Sequence, residues 1–143
     1  MSRDVDRAKA ALGALHPAPR MTLGDICEVP FEPCDAVVIL DVLHYIDIPA
    51  QDAVLTRVRD ALTPGGVLLL RVGDASAGLP FKISNWVDHV VTFVRGHRLP
   101  RLHCRALAEW QSVLSRLGFQ LDTSLPMSQG TPFANVLLVA RLG

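Results

Sequence analysis

The stretch CDAVVILDVLHYID, from Cys34 to Asp47, changes character half-way along its length. It opens with a continuous apolar and largely β-branched run, which is typical of a parallel strand covered on both faces. Three polar side chains then follow closely: Asp41, His44 and Tyr45. Because ligands of open α/β sheets sit beyond the carboxyl ends of the strands, this change predicts a ligand site directly after the strand.

The residues that follow predict a second strand beside the first. Residues 50–62 place Val54, Leu55 and Val58 at helical spacing, and TPGG ends that helix. The run VLLLRV at 67–72 then predicts another buried strand. A strand–helix–strand order predicts a right-handed crossover and parallel pairing.

The remaining elements are predicted on either side of this unit. Two closing strands, FQLDTSL and ANVLLVARL, are joined by a short loop and predict an antiparallel pair, with 133–141 inserted between 67–72 and 118–124. The other predictions are a helix at 3–15, a short strand in RMTLGD, an apolar helix at 84–94 and an amphipathic helix at 106–117. The fold class is therefore α/β, a doubly wound and mainly parallel sheet with a C-terminal antiparallel pair.

Composition excludes several classes of partner. The 143 residues balance 14 Lys and Arg against 14 Asp and Glu, without a basic cluster, which argues against nucleic acid and anionic membrane surfaces. No apolar run approaches the roughly 20 residues of a membrane span. An odd set of three scattered cysteines predicts a reducing cytoplasm, and no close pair of ligands supports a metal site.

Five segments together resemble the class I S-adenosylmethionine-dependent methyltransferases. They are LGDICEVPF, CDAVVILDVLHYID, ALTPGGVLLLRVGD, EWQSVLSRLGFQL and FANVLLVARL, and they cover nearly the whole chain. The resemblance implies a single Rossmann-like domain over 1–143, an S-adenosyl-L-methionine cofactor and a small, partly apolar acceptor molecule. A nicotinamide-dependent dehydrogenase fits less well, because the closing antiparallel pair belongs to the methyltransferase pattern.

The resemblance also implies roles for particular residues. Asp25 would accept a hydrogen bond from the adenine amino group, and the backbone of Ile26 would meet the ring. The alternative for Asp25 is a solvated turn residue after Gly24. Leu40 and Asp41 would lie against the methionine part of the cofactor.

On the acceptor side, His44 and Tyr45 are candidates to orient or deprotonate the acceptor. A capping or packing role for His44 is the alternative. Arg71 would pair with an acceptor carboxylate, or else with Asp41 or Asp74. The arginines of RGHRLPRLHCR, Arg105 among them, are predicted to lie in a solvated loop, and a lid lined by them is the alternative.

Two diagnostic elements of the family do not occur in this sequence. The chain contains no GxG, whereas the family uses a glycine-rich loop after its first strand and an acidic residue after its second. The sequence therefore predicts an N-terminally incomplete domain that binds the cofactor weakly and is inactive as it stands. The alternative is a non-catalytic, methyltransferase-like interaction module, and the in-frame DNA upstream of Met1 discriminates the two. An open sheet edge further predicts pairing with the 21–25 strand or a homodimer.

Overall fold

The computed structural model describes residues 2–17, 19–76, 102–127 and 135–143. The chain divides into two compact units, 1–30 and 31–143. Each unit is described by itself below. The apolar helix predicted at 84–94 lies outside the described residues.

The first unit begins with helix α1, Ser2–Leu12, which confirms the helix predicted there. The strand predicted in RMTLGD is wrong, because residues 21–25 form no strand ladder. Asp25 instead starts a turn. Its backbone carbonyl accepts from the N–H groups of Glu28 (3.0 Å) and Val29 (2.8 Å), and its side chain accepts from the N–H of Cys27 (2.8 Å). An Asx turn of this kind competes with extended pairing at the point where the strand was expected to end.

The second unit opens with the predicted strand–helix–strand. Strand β1 is Cys34–Leu40, helix α2 is Ile48–Ala61 and strand β2 is Leu62–Gly73. The helix begins two residues earlier than its apolar spacing suggests, because the Asp47 carboxylate accepts from the N–H of Ala50 at 2.9 Å. Strands β1 and β2 pair in parallel, as predicted.

The remaining elements follow the sequence prediction closely. Helix α3 is Leu107–Arg116, strand β3 is Phe119–Pro126 and strand β4 is Asn135–Leu142. Gly118 has a φ of +86°, a left-handed conformation that glycine adopts without strain where the helix ends. Glu109 closes the other end of α3 by accepting from the N–H of Ala106 at 2.7 Å.

The described strands form one sheet in the order β1-β2-β4-β3. Strand β4 runs antiparallel to both β2 and β3, so β1, β2 and β3 share one direction. The insertion of β4 between β2 and β3 is therefore confirmed. With β1 and β2 parallel, their carboxyl ends meet at one edge of the sheet.

The core lies on one face of this sheet. Buried side chains alternate with less buried ones along β2 and β4, and the buried set includes Leu68, Leu70, Leu138 and Ala140. Helices α2 and α3 add further buried residues: Val54, Leu55, Val58, Trp110, Val113 and Leu114.

Strand β1 is less covered than its sequence predicts. Ile39 is buried, but Val38 is 56% exposed and Leu40 is 46% exposed. The expectation that both faces are covered is wrong for this strand, which has β2 as its neighbour in the described sheet and no other. Apolar surface is therefore accessible where β1 ends.

Candidate active site

The site is built at the carboxyl ends of β1 and β2. The parallel register places Leu40 opposite Arg71, and the N–H of Asp41 donates to the carbonyl of Arg71 at 3.1 Å. The ladder thus continues one residue beyond β1. Because of this register, Leu40, Asp41 and Arg71 come together at the end of the strand, where the sequence predicts a ligand site; the site itself stays a prediction.

Asp41 turns the chain out of the strand. Its φ is +54°, which lies in the left-handed region where aspartate and asparagine are several-fold enriched among non-glycine residues. Its carboxylate accepts a hydrogen bond from Nη2 of Arg71 and forms an ion pair with it. About a third of each side chain is exposed. The pair is therefore accessible to a ligand.

The charge of Arg71 is stabilised by this pairing. The hydrogen bond that Arg71 donates to Asp41 raises the pKa of Arg71, an effect that partial burial opposes and the charge of Asp41 reinforces. Asp41 and Asp74 were the two predicted ion-pair partners of Arg71 within the chain, and in the structure Arg71 pairs with Asp41. Arg71 is thus a permanently cationic group at the mouth of the sheet.

A short 3-10 turn, Leu43–Tyr45, follows Asp41 and carries the two other candidates. The N–H of Tyr45 donates to the carbonyl of Val42 at 3.1 Å, and the buried Leu43 side chain anchors the turn in the core. The rings of His44 and Tyr45 lie 4.1 Å apart between centroids, tilted by 51°. Tyr45 is largely exposed beside the half-buried His44.

Asp74 lies just after β2 and, unlike the ion-paired Arg71, binds backbone N–H groups and a hydroxyl. Its Oδ1 accepts from the N–H (2.9 Å) and hydroxyl (2.6 Å) of Ser76 and from the N–H of Leu107 (3.0 Å). Burial tends to raise the pKa of Asp74, but these hydrogen bonds outweigh it and the pKa is lowered. Asp74 is therefore an ionised group that holds the start of α3.

Two residues behind the turn were not anticipated by the sequence. Gln51 is fully buried, and Arg105 is only 5% exposed. The prediction of a solvated loop is wrong for Arg105, because its guanidinium is paired with Asp52 and stacked 5.1 Å from the ring centroid of Trp110. A signal for Gln51 was present: it stands on the apolar stripe of α2, where Val54, Leu55 and Val58 are buried. Nothing local marks Arg105, since its partners are distant in sequence.

Asp25 and Ile26 belong to the first unit. The Asp25 side chain is exposed and caps the turn at Cys27, while Ile26 is half-buried. The structure supplies the turn-forming role that is the alternative to an adenine contact. A carboxylate carries about four lone-pair positions, so this one hydrogen bond leaves it capacity to accept others.

Comparison with known proteins shows what this chain is similar to. Residues 2–70 match the model of a methyltransferase domain. The carboxy-S-adenosyl-L-methionine synthase of Aeromonas salmonicida (strain A449) is 32% identical over 68 residues, which make up 46% of this chain and 28% of that protein. Over residues 2–70 the chain is therefore similar to a methyltransferase domain.

Solved methyltransferase structures share the fold. Mitomycin 7-O-methyltransferase superposes with a TM-score of 0.74 at 22% identity, covering 97% of this chain and 39% of that one. Magnesium protoporphyrin IX methyltransferase from Synechocystis PCC 6803, solved with bound SAH, gives a TM-score of 0.69 at 17% identity, covering 96% and 57%. The chain thus spans less than three fifths of the length of each of these proteins. Within the described ranges, no helix is long and apolar enough to cross a bilayer.

Proposed function

We propose that this chain carries residues of a site for methyl transfer from S-adenosyl-L-methionine to a small molecule, at the carboxyl ends of β1 and β2, and that the 143 residues by themselves are inactive. The observation that carries the proposal is the accessible Asp41–Arg71 pair, set beside the exposed apolar surface of Leu40 at this edge. The position agrees with the general location of ligands in open α/β sheets. The family match and the small-molecule methyltransferases of the same fold support it.

The described residues fit the cofactor at separate points. The half-exposed Leu40 offers apolar surface to the methionine chain. The Asp41 carboxylate would attract a positive charge there. In the first unit, described by itself, Asp25 keeps acceptor capacity for an amino group, and the adenine contacts of Asp25 and Ile26 stay predictions from the resemblance. When bound, the cofactor supplies a methyl group activated by its sulfonium.

The acceptor is held by the chain's own side chains in this proposal. Arg71 can exchange its aspartate partner for a carboxylate on the acceptor, because its planar guanidinium binds such groups bidentately. His44 and Tyr45 stand on the adjacent turn and can orient an acceptor hydroxyl or remove its proton. The exposed ring of Tyr45 and the side chain of Leu40 favour a partly apolar acceptor.

Weak cofactor affinity is part of the same proposal. The 143 residues contain no GxG that would bring backbone N–H groups close to the cofactor. Each hydrogen bond that is not made forfeits roughly 1 kcal/mol, so several together reduce affinity by orders of magnitude. We expect a dissociation constant above about 100 μM for the 143-residue chain and no measurable turnover.

A titration followed by NMR tests this function at the affinity expected. Millimolar S-adenosyl-L-homocysteine should shift the amide signals of Leu40, Asp41 and Tyr45 in a saturable manner, together with those of Asp25 and Ile26. The Asp41→Asn variant should lose the shifts at the β1 end. Asp35→Asn is the matched control, because Asp35 stands at the opposite end of the same strand and bonds the Thr63 hydroxyl at 2.7 Å.

Three results would count against the proposal. Shifts that are absent, or that fall only on residues other than the five named, would remove the site. Equal losses in the Asp41 and Asp35 variants would show that Asp41 has no particular role. Micromolar binding would contradict the expected weakness alone.

A homodimer through the β1 edge is the interaction proposed beside this function. An edge strand offers unpaired N–H and C=O groups, and Val38 adds exposed apolar surface to β1. Light scattering at several concentrations should show a dimer that Val38→Lys abolishes and that Leu121→Lys, on the other edge strand, leaves intact. A monomer at every concentration would refute the dimer and weigh against an interaction module.

A cytoplasmic location stays a prediction based on the three cysteines.

A further inference from the structure

A buried polar network lies behind the turn that carries His44 and Tyr45. Nε2 of Gln51 lies 3.0 Å from the carbonyl oxygen of Leu43, 3.1 Å from that of Ile46 and 2.7 Å from that of His103. Two of these carbonyls belong to the turn, one at its start and one just past its end. The third belongs to a segment more than 50 residues further along the chain.

Arg105 fixes the other side of the Gln51 amide. Its Nε donates to Oε1 of Gln51 at 2.8 Å, while its Nη2 donates to Oδ1 of Asp52 at 2.6 Å and to the carbonyl of Ile48 at 3.0 Å. The ring of Trp110, a residue of α3, lies against the guanidinium of Arg105. The arginine therefore joins the first turn of α2 to residues 103–106 and to α3.

The polarity of the network admits one orientation of the amide. An NH₂ group can donate to three carbonyl oxygens by sharing its two hydrogens, whereas a flipped amide would set Oε1 against all three. The flipped NH₂ would also face the guanidinium, which has no acceptor. Gln51 is thus locked between the turn and Arg105.

The turn is also tied to the same segment through its own backbone. The N–H of His103 donates to the carbonyl of His44 at 2.9 Å, two residues before Arg105. The N–H of Ala75, just after β2, donates to the carbonyl of Arg105 at 3.1 Å. The network therefore links both of the strand ends that form the proposed site.

We propose that Gln51 and Arg105 are positioning residues that set the place of the His44–Tyr45 turn against the ends of β1 and β2. An apolar pair of similar volume would serve stability as well as a buried charged group does, so stability alone gives no reason for this network. What an apolar pair cannot do is bind three carbonyls at fixed distances. The catalytic meaning of the inference rests on the proposed function, because it assumes that this turn faces the acceptor.

The single tyrosine of the chain provides a direct probe of the turn. In protein with labelled tyrosine, Gln51→Leu and Arg105→Met should each displace or broaden the ring signals of Tyr45. They should also accelerate amide exchange of Tyr45, Ile46 and His103 by about tenfold or more, because local opening exposes the hydrogen bonds of the turn. Amides of the β2–β4 pairing should keep their protection. Arg116→Met, at an exposed position on α3, is the matched control and should change none of these signals.

A milder variant keeps the test decisive if the buried substitutions do not fold. Asp52→Asn weakens one partner of Arg105 at a half-exposed position, and should displace the Tyr45 signals in the same direction by a smaller amount. Arg105→Lys keeps the charge but cannot reach Gln51 and Asp52 with the same fork, so it should restore the turn only in part.

The outcomes separate positioning from stability and from the proposed function. A lower unfolding temperature with native Tyr45 signals and unchanged exchange at the turn would overturn the inference, as would an Arg116 variant that behaves like the Arg105 variant. None of these measurements requires the cofactor. A failed titration with S-adenosyl-L-homocysteine would therefore count against the proposed function and leave this result standing.

Discussion

Two arginine–aspartate pairs border the turn after β1, and they differ in exposure. The Arg105 side chain is 6% exposed in its pair with Asp52, whereas Arg71 is 34% exposed in its pair with Asp41. Arg105 also bonds a buried amide, a backbone carbonyl and an aromatic ring. Arg71 stands at the strand ends, where its partner is a side chain that solvent and ligands can reach.

The difference separates a structural charge from an available one. Removing a buried, fully bonded guanidinium leaves polar groups without partners, which is costly. A pair that is about one-third exposed contributes little to stability because water and salt screen it, and it can therefore exchange partners with little loss. Arg71 is thus the better candidate for a ligand contact, and Arg105 for holding the site together.

The largest effect is expected for Arg105→Met. Gln51 Oε1 and the Ile48 carbonyl lose their donor, so the free energy of unfolding should fall by about 2–4 kcal/mol. This is somewhat less than for a fully buried pair, because Asp52 retains access to water. Denaturant unfolding measures it, with Arg116→Met expected within about 0.5 kcal/mol of the wild type. If Arg105→Met also lowers the free energy of unfolding by less than about 0.5 kcal/mol, the Arg105 pair contributes no more to stability than an exposed pair such as that of Arg71.

Gln51→Leu should cost about 1–3 kcal/mol, since three carbonyls and Nε of Arg105 lose a buried partner. The double variant with Arg105→Met should cost less than the sum of the two single changes, because residues of one network are coupled by roughly 0.5–3 kcal/mol. A double-mutant cycle in denaturant checks this. Additive losses would show that the residues act independently.

Asp74 sharpens the comparison, because its partners are backbone N–H groups and a hydroxyl. Its pKa is lowered in the folded protein, so its contribution is fully present above the ordinary value of 3.8 and is lost as the pH falls through the lower folded value. Asp74→Asn should remove this pH dependence and cost about 0.5–1 kcal/mol at neutral pH. Thermal unfolding of the wild type and of Asp74→Asn between pH 7 and pH 3 measures this difference. If the unfolding temperatures of the two proteins fall in parallel, Asp74 is not a source of the pH dependence.

The smallest effect on stability is expected for Arg71→Met, at about 0–1 kcal/mol. If Arg71 contacts an acceptor carboxylate, the same change should weaken binding of carboxylate-bearing aromatic probes far more than binding of their amides. Calorimetry with a matched acid and amide tests this. A large loss of stability in Arg71→Met would contradict the idea that the charge of Arg71 is free to bind a ligand. Equal losses of affinity for the acid and the amide would contradict it too.

The sequence predicts the elements of the second unit because each one carries its own pattern. Apolar runs mark β1 and β2, helical spacing marks α2 and α3, and Gly118 marks the end of α3. The strand at 21–25 was wrongly predicted, because local propensity does not reveal the turn that the Asp25 side chain and carbonyl stabilise.

The site was predictable only where its residues are neighbours in one pattern. Asp41 and Arg71 follow from two parallel strands that end together, and the resemblance adds roles for them. The burial of Arg105 depends on Gln51 and Asp52, more than 50 residues earlier, and no local pattern encodes such a meeting. A polar residue on an apolar helical stripe, as at Gln51, is the one signal that could have been followed.

The position of β4 has a consequence for how the protein reaches this fold. Strand β2 pairs with residues far along the chain, with Val67 opposite Arg141 and Gly73 opposite Asn135. The unit β1–α2–β2 can form from neighbouring residues, but one edge of β2 then has unpaired backbone N–H and C=O groups until β4 is in place. Pairings of such long range form slowly, and an exposed edge recruits strands of other chains in the meantime. Refolding yield should therefore fall steeply as protein concentration rises, while an unchanged yield would show that β4 joins β2 before other chains meet it.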